Sequence, residues 1–494
     1  MATKAAELGI PEVARRFLDG KAKRLFIGGE WVEAADGRTF ETPNPATGET
    51  LAEVAFGGKE DVDRAVQAAR KAFDDGSWTG LHPKDREAIL RRLADLMAEN
   101  VEELATLEVL DNGKPMRMAR AEAAAAAEYV RYYAGWPTKI TGDVLPSAPT
   151  HHKYVRREPV GVCGQIIPWN FPLIMVTWKV APALACGNTV VLKPAEQTPV
   201  NALRFAELAT EAGVPAGVLN VVTGDGTTGA AVVAHPGVDK IAFTGSTEVG
   251  KKVMAAAAGT VKRVSLELGG KSPNIVFADA NLEKAVPASM MGVFANSGQI
   301  CTAGTRLFLE RRIHDEFVER LTAFAGKLKV GPGLEEGVQL GPVVSEEQQS
   351  RIREYLETGP EEGATAALGG HVKEGPGYFI EPTIFTGVNN DMRIAREEIF
   401  GPVVSVIPFE DAESAVQLGN ETEYGLAAGI WTQDISKAHR VAAALRAGIV
   451  WVNTYGEFDA MTPFGGFKSS GYGRELGEAS LELYTQRKSV VIRL

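Results

Sequence analysis

The stretch that decides the fold is the run VGVCGQIIPW at residues 160–169, which is apolar almost throughout and ends at Pro168 and Trp169. Helical stretches such as PVNALRFAELATEA (199–212) separate it from later runs of the same kind. Those runs are NTVVLKP (188–194), VLNVVTG (218–224), KIAFTGS (240–246) and PNIVFAD (273–279). Short apolar strands that alternate with helices are typical of βαβ units around a parallel sheet. The sequence therefore predicts an α/β fold.

Outside this region the pattern changes towards both ends. The segment DVDRAVQAARKAFDD (61–75) spaces its apolar residues at helical intervals, and this pattern continues to about residue 135. A second set of alternating elements runs from about 271 to 455. The tail ASLELYTQRKSVVIRL (479–494) is predicted to be a final strand, for which a neighbouring subunit would supply the partner by edge pairing. Because 494 residues exceed the size of a single hydrophobic core, we expect two or three domains.

The composition excludes several classes of function. Hydrophobic residues make up 45% and charged residues 23%, as in ordinary globular proteins. A net charge of −11 without a long basic run argues against nucleic-acid and anionic-membrane partners. No apolar run reaches the roughly 18 residues that span a bilayer, and the N-terminal segment has no apolar signal core. We therefore expect a cytoplasmic protein.

The cysteines indicate chemistry at one position. Cys163 and Cys186 lie in apolar runs and are interpreted as packing residues, and no CxxC pair supports a disulfide framework or a zinc site. Cys301 instead lies in NSGQICTAGTR (296–306), a segment of glycines and small polar residues that we expect to be flexible and open to substrate. A thiolate there would be a nucleophile. A hydrolytic Cys–His pair is an alternative, but no histidine lies in a glycine or strand-end motif.

Two further polar residues follow apolar runs. Glu267 ends such a run directly before Gly269 and Gly270, and apolar neighbours would raise its pKa, which suits a general base. Asn170 lies between Trp169 and Phe171, where a side-chain amide is suited to donate to an oxyanion. The alternative for Glu267 is a polar residue on an alternating strand.

Two glycine-rich turns are candidates for a nucleotide site. GDGTTG (224–229) is a literal G-x-G-x-x-G, and FTGSTEVGKKV (243–253) also runs from strand through turn to helix, with Ser246 as a candidate helix cap. The residues alone do not choose between them. Lys193 and Glu196 follow a third strand, where the carboxylate would accept from a ribose and repel a 2′-phosphate. The alternative is that both are solvated loop charges.

Five segments together resemble the NAD(P)-dependent aldehyde dehydrogenase superfamily. They are PWNFP (168–172), LELGGKSPNIV (266–276), GQICTAGTR (298–306), EEIFGPV (397–403) and PFGGFKSSGYGRE (463–475). The resemblance implies oxidation of an aldehyde to the acid (most specifically class EC 1.2.1.3), with Cys301 as nucleophile, Glu267 as general base and Asn170 as oxyanion donor. It implies no metal. A non-catalytic protein on this scaffold and an NAD-independent thioesterase or esterase are the competing hypotheses.

The resemblance also implies NAD as cofactor, with NADP as the weaker alternative. It places Ser246 at the pyrophosphate, Lys193 and Glu196 at the adenosine ribose, and Glu398 at the nicotinamide ribose. The full set of implied cofactor residues is Ile166, Pro168, Trp169, Lys193, Glu196, Gly226, Gly245, Ser246, Val249, Leu268, Glu398 and Phe400. The resemblance also places Lys179 and Glu475 at positions that would relay a proton.

The architecture implied by the resemblance has three parts. A Rossmann-like cofactor domain would comprise 20–140 and 160–270, and an α/β catalytic domain 271–470. A small β oligomerisation element (141–159 and 480–494) would assemble a homodimer or homotetramer.

The resemblance further implies an apolar substrate tunnel. Its lining would include Phe171, Trp178, Phe458 and Phe464, which favour an apolar, aromatic or medium-chain aldehyde unless they are core residues. Glu457 and Asp459 in the same loop would instead favour a cationic aldehyde if they face the tunnel.

Overall fold

The computed structural model describes residues 10–494 of the chain. Its helices are α1 Glu12–Arg15, α2 Lys59–Asp74, α3 Pro83–Glu99, α4 Val101–Asn112, α5 Met116–Ala134, α6 Pro172–Ala185, α7 Val200–Ala212, α8 Gly226–Ala234, α9 Thr247–Ala258, α10 Leu282–Phe294, α11 His314–Ala325, α12 Glu346–Glu361, α13 Arg393–Arg396, α14 Ala412–Asn420, α15 Ile435–Ala444 and α16 Ala479–Tyr484. Its strands are β1 Leu25–Ile27, β2 Glu30–Val32, β3 Thr39–Pro43, β4 Thr50–Ala55, β5 Asp143–Leu145, β6 His151–Pro159, β7 Val162–Ile166, β8 Thr189–Lys193, β9 Leu219–Val221, β10 Lys240–Thr244, β11 Arg263–Glu267, β12 Pro273–Val276, β13 Arg306–Glu310, β14 Thr365–Leu368, β15 Thr383–Thr386, β16 Val403–Phe409, β17 Ala427–Trp431, β18 Ile449–Val452, β19 Gly471–Tyr472 and β20 Thr485–Arg493.

Two large sheets carry the α/β fold that the sequence predicts. The first has the strand order β19-β11-β10-β7-β8-β9-β1-β2, and its five central strands, β7 to β11, pair in parallel. The second has the order β14-β15-β16-β13-β12-β17-β18 and is parallel from β15 to β18. Four of the five apolar runs form β7 to β10, and the fifth, β12, lies in the interior of the second sheet, between β13 and β17. The predicted alternation is therefore confirmed.

Helices α6 and α7 pack on the strands of the first sheet, and α3 to α5 pack against these two helices. The helical pattern predicted from 61 to about 135 is confirmed by α2 to α5. The apolar sides of α3, α4 and α5 share one core with α6 and α7, and Trp78 joins this core with its indole N–H donating to the Leu184 carbonyl at 2.9 Å. Cys163 on β7 and Cys186 at the end of α6 are both buried, which confirms that they are packing residues.

The C-terminal tail corrects one expectation. Residues 479–484 form helix α16 rather than strand, because Leu481 and Tyr484, three residues apart, bury their side chains on one helical face. Strand β20 then pairs antiparallel with β6 of the same chain along all nine of its residues, from Thr485↔Pro159 to Arg493↔His151. Strand β20 therefore has a partner within its own chain, and as the outer strand of the order β20-β6-β5 it leaves its other edge unpaired among the described residues. With β5 these strands make a separate three-stranded sheet.

Among residues 10–494, we find no helix that combines the length and the apolar character needed to cross a membrane.

Candidate active site

A cleft opens beyond the carboxyl ends of the parallel strands of the first sheet. Its accessible volume is about 340 Å³, within the ~300–1,000 Å³ usual for small-molecule sites. Cys301 and Asn170 line one part of it, and Glu196 and Ser246 line another. The predicted site residues that line this cleft are Pro168, Trp169, Asn170, Phe171, Glu196, Gly245, Ser246, Leu268, Cys301, Glu398 and Phe400. The fold thus brings most of the predicted site together.

The loop that carries Cys301 is tightly packed rather than flexible. Asn296, Ser297 and Gly298 all have positive φ angles, of 49°, 53° and 74°. A Cβ added to Gly298 would lie 2.0 Å from the Gly401 carbonyl oxygen. The glycine therefore permits a close backbone approach and a left-handed turn. The expected flexibility does not fit this packing, whereas the expected opening to substrate does hold, because Cys301 lines the cleft.

The thiol of Cys301 is surrounded by opposing electrostatic influences. Burial raises its pKa, and the carboxylates of Glu398 and Glu267 raise it further, while the backbone N–H groups of Thr302 and Cys301 lower it. The resting group is therefore the thiol. Two carboxylates nearby can accept its proton when it reacts.

Asn170 is placed with one amide proton free. Its side chain is 4% exposed and its Nδ2 donates to the Gln299 carbonyl at 2.9 Å. A primary amide has two N–H donors. One of them fixes the side chain to the Cys301 loop, which leaves the other for an oxygen in the cleft.

Glu267 ends β11, but its carboxylate does not line the cleft. Both of its carboxylate oxygens are buried without a hydrogen-bond partner, and Oε1 would lie 2.7 Å from a Cβ added to Gly465. Burial raises its pKa well above the usual range, Glu475 raises it further, and Lys179 and Arg474 lower it. Lys179 and Glu475 form a buried ion pair beside it. The raised pKa makes Glu267 a stronger base than an exposed glutamate, next to the cleft.

The structure distinguishes the two glycine-rich turns. Ser246 caps α9, accepting from the Val249 N–H at 3.3 Å, and Thr244, Gly245 and Ser246 line the cleft. The α8 N-terminus is instead capped by Asp225, whose carboxylate accepts from the Thr227 N–H at 2.8 Å. A carboxylate already at a helix N-terminus disfavours a phosphate there.

Four predicted cofactor residues lie outside the cleft lining. They are Ile166, Lys193, Gly226 and Val249. Lys193 still reaches it indirectly, because its Nζ donates to Glu196 Oε2 at 2.9 Å. Gly226 begins α8, where a Cβ would meet no atom within 4 Å.

The polar groups of the cleft fit a dinucleotide. The N-terminus of the twelve-residue helix α9 suits a pyrophosphate. Glu196, at the end of β8, and Glu398 present carboxylates suited to ribose hydroxyls. Glu398 Oε1 accepts from the Gly270 N–H at 2.9 Å, and burial raises the pKa of this carboxyl to about 7. A Cβ on Gly269 would meet Glu398 Oε2 at 2.3 Å, so the glycine makes room for this carboxylate.

Three of the four predicted substrate residues, Trp178, Phe458 and Phe464, form one aromatic cluster, which lies outside the cleft lining. The Trp178 ring centroid lies 5.2 Å from that of Phe464 and 6.4 Å from that of Phe458. Phe171 does not belong to this cluster but lines the cleft. Trp178 and Phe464 are buried, whereas Phe458 is 39% exposed. Asp459 bonds back to the N–H groups of Met461 and Thr462 at 2.8 and 2.7 Å.

Sequence reasoning missed the contribution of α12 to the cleft. Gln348 and Arg351 line it. The Gln348 side chain donates to the Phe400 carbonyl at 2.9 Å, and Arg351 donates to the Glu398 carbonyl at 3.0 Å. These bonds position the segment that carries both predicted cofactor residues. The start of α12 was readable from the Ser345 cap, which accepts from the Gln348 N–H, but its contact with residues fifty positions later was not.

Comparison with known proteins identifies aldehyde dehydrogenases as relatives of this chain. The aldehyde dehydrogenase family model matches residues 31–490. The chain is 53% identical to the putative aldehyde dehydrogenase DhaS of Bacillus subtilis, over 97% of each chain. The NAD⁺ complex of an aldehyde dehydrogenase from Bacillus cereus superposes with a TM-score of 0.96 at 50% identity, covering 98% of this chain and 99% of that one. A betaine aldehyde dehydrogenase of Staphylococcus aureus in complex with NAD⁺ gives 0.95 at 41% identity, with 97% of each chain covered.

A doubly wound sheet with a dinucleotide cleft and a cysteine beside it defines a nucleotide-dependent oxidoreductase. The chain belongs to the aldehyde dehydrogenase family. As a member of this family it oxidises aldehydes, which are small-molecule substrates, and the two solved relatives above are NAD⁺ complexes.

Proposed function

We propose that this enzyme converts an aldehyde to the carboxylic acid through a thiohemiacetal and a thioester on Cys301, and that Glu267 activates the hydrolytic water. The observation that carries the proposal is the pairing of a cleft-lining thiol with a buried, unpartnered carboxylate. A carboxylate without hydrogen bonds and with a raised pKa is suited to take a proton from water. A purely structural glutamate would have its oxygens bonded.

Cys301 and Asn170 serve the first half of the reaction. The Cys301 sulfur attacks the aldehyde carbon, its proton leaves to a nearby carboxylate, and the carbonyl oxygen becomes an oxyanion. The free N–H of Asn170 and the backbone N–H of Cys301 donate to that oxygen. Such donors contribute about 10²–10³ in rate each. Bound NAD supplies the hydride acceptor that allows the thioester to form.

Glu267 serves the second half. It takes a proton from a water molecule, whose oxygen adds to the thioester carbon, and the C–S bond breaks to release the acid and the Cys301 thiolate. Because its carboxylate lies beside Gly465, rotation about its side-chain bonds is needed to bring it to the cleft. The buried Lys179–Glu475 pair adjoins it and is suited to pass the proton onward.

Lys193 and Glu196 support a preference for NAD over NADP. Glu196 lines the cleft at the end of β8, with its carboxylate bonded to Lys193 at 2.9 Å. This carboxylate would accept from ribose hydroxyls and repel a 2′-phosphate.

The aromatic cluster supports an apolar aldehyde, aromatic or of medium chain length. Asp459 caps a local turn, and Glu457 accepts from the Thr454 hydroxyl at 2.6 Å. Both carboxylates therefore have local partners, which speaks against a dedicated cation site. This chemistry corresponds to class EC 1.2.1.3.

We also propose the three-part organisation given by residues 20–140 with 160–270, 271–470, and 141–159 with 480–494, and assembly into a homodimer or homotetramer. Exposed apolar residues support the assembly: Val144, Leu145, Val491 and Ile492 lie on the three-stranded sheet. Light scattering, which measures the mass of the particle in solution, tests this assembly. The three cysteines are all unpaired, which supports a reducing compartment such as the cytoplasm.

The deciding experiment compares Cys301→Ala, Glu267→Gln and the control Cys186→Ala in stopped-flow assays of NADH formation. Cys301→Ala should form no NADH while still binding NAD. Glu267→Gln should keep the first-turnover burst and lose about 10²–10⁴-fold in steady-state rate. Cys186→Ala, a buried cysteine outside the site, should behave as wild type. Wild-type turnover of Cys301→Ala would exclude the nucleophile, and an unchanged steady state of Glu267→Gln would exclude the base.

A further inference from the structure

A buried ion cluster outside the cleft consists of Lys114, Glu108 and Glu122. The Lys114 Nζ lies 2.9 Å from Glu108 Oε1 and also bonds the Glu122 carboxylate. All three side chains are less than a tenth exposed. Because desolvation offsets most of the attraction between buried charges, stability alone is a weak reason for such a cluster.

The cluster contacts the loop that carries Asn170. The Lys114 Nζ donates to the Asn170 backbone carbonyl at 3.3 Å. Two residues earlier, the Asn112 side chain donates to the Trp169 carbonyl at 2.8 Å. The end of α4 and the turn after it therefore hold two consecutive carbonyls of this loop.

The Cys301 loop holds Asn170 from the opposite side. The Asn296 side chain donates to the Asn170 backbone carbonyl at 2.9 Å, and the Asn170 side chain donates to the Gln299 carbonyl at the same distance. The Asn170 carbonyl thus accepts one bond from each side. Because two carboxylates hold the Lys114 ammonium in place, its hydrogen bond fixes the Asn170 carbonyl from the side of helix α4.

We propose that Lys114 is a positioning residue for the reaction at Cys301. Held by Glu108 and Glu122, it fixes the Asn170 peptide so that the free side-chain N–H faces the oxygen formed on the substrate. This inference rests on the oxyanion role proposed above for Asn170. It assigns a function to a lysine that does not itself line the cleft.

The test is a double variant, Lys114→Met with Glu122→Gln. It removes one positive and one negative charge, so that the net charge of the cluster is kept. Misplacement of a reacting group by about 1 Å costs up to about 10²-fold in rate. We therefore expect the single-turnover rate of NADH formation to fall about 10- to 100-fold. The NAD dissociation constant and the aldehyde KM should stay within about threefold of wild type, because binding does not use this N–H.

The matched control is Arg204→Met. Arg204 pairs with Glu103 at 2.8 Å between α7 and α4 and is buried in the same helical layer, away from the Asn170 loop. It should lose stability without losing single-turnover rate. A wild-type rate for the Lys114 double variant would overturn the positioning role. So would failure of both this variant and Lys114→Gln to fold while Arg204→Met folds, since the lysine would then serve the fold itself.

A double-mutant cycle separates this inference from the proposed function. In the Asn170→Ala background, the Lys114 and Glu122 changes should add less than about twofold, because their effect passes through Asn170. A full additional loss would overturn the positioning role and leave the oxyanion role intact. If Asn170→Ala alone had the wild-type single-turnover rate, the oxyanion role and the positioning role would both fail.

Discussion

Replacement of Glu196 by Gln should relax the preference for NAD over NADP. Glu196 lines the cleft at the end of β8, its side chain is 39% exposed, and its Oε2 lies 2.9 Å from the Lys193 Nζ. The 2′-phosphate of NADP would lie against this carboxylate if the adenosine ribose binds here. Glutamine keeps one acceptor oxygen for the ribose but removes the charge.

The size of the effect follows from Coulomb's law. Two unit charges about 5 Å apart interact with roughly 3 kcal/mol at an effective dielectric constant of about 20. Exposure of Glu196 and its pairing with Lys193 reduce this repulsion to about 1–2 kcal/mol. Removal of the charge should therefore lower the KM for NADP about 5- to 30-fold. The KM for NAD should rise a few-fold, because a charge-assisted bond to the ribose becomes a neutral one.

The assay is initial-rate kinetics of Glu196→Gln with both cofactors at fixed aldehyde concentration, repeated at low and high salt. Screening should narrow the wild-type preference as salt rises and change the variant less. Glu347→Gln is the control, because Glu347 is an exposed carboxylate on another wall of the same cleft. An NAD/NADP ratio unchanged within twofold would refute the reasoning. If Glu347→Gln changed the NAD/NADP ratio equally, the preference would come from the overall negative field of the cleft and not from contact with Glu196.

Three further results are expected. Gly298→Ala should abolish activity and destabilise the protein by about 2–4 kcal/mol in urea unfolding, because its Cβ would clash with a carbonyl oxygen at 2.0 Å. The control Gly337→Ala should lose only about 1 kcal/mol, because Gly337 is also left-handed but its Cβ would meet no atom within 4 Å. Phe458→Ala should raise the KM for benzaldehyde about tenfold in steady-state assays and leave acetaldehyde nearly unchanged, because a half-exposed ring contact worth about 1–1.5 kcal/mol is lost. Burial raises the pKa of Glu398 to about 7, so its contribution to stability is present at low pH and is lost as the pH rises through about 7. In thermal scans without cofactor, Glu398→Gln should therefore flatten the fall of Tm between about pH 5 and pH 8.

The parts of the fold that were readable from sequence are those set by local patterns. Strands β7 to β10 are apolar runs that end in turn residues, and the helices from 59 to 134 carry periodic apolar faces. The tail shows the limit of this reasoning. Leu481 and Leu483 fit an alternating pattern, whereas Leu481 and Tyr484 fit a helical one, and packing of α16 against the core decided between them.

The candidate site was readable as a set of residues but not as a geometry. Cys301, Glu267 and Asn170 each follow a local signal, namely an isolated cysteine, a polar residue at a strand end, and an amide between aromatic residues. Their mutual placement depends on bonds that span more than a hundred residues, such as that from Asn170 to Gln299. The orientation of Glu267 towards Gly465 depends on the same kind of contact. No periodicity in the sequence encodes such pairs.

The same long-range contacts explain why the two glycines beside Cys301 misled the sequence interpretation. A glycine is compatible with a mobile loop and with a backbone approach too close for any side chain. Gly298 lies against Gly401, and Gly304 lies against Tyr455, whose hydroxyl donates to the Thr302 carbonyl at 2.7 Å. Both glycines therefore serve rigidity. A nucleophile that must meet an aldehyde, an oxyanion donor and a hydride acceptor in one geometry gains rate from such preorganisation, whereas loop mobility would lower it.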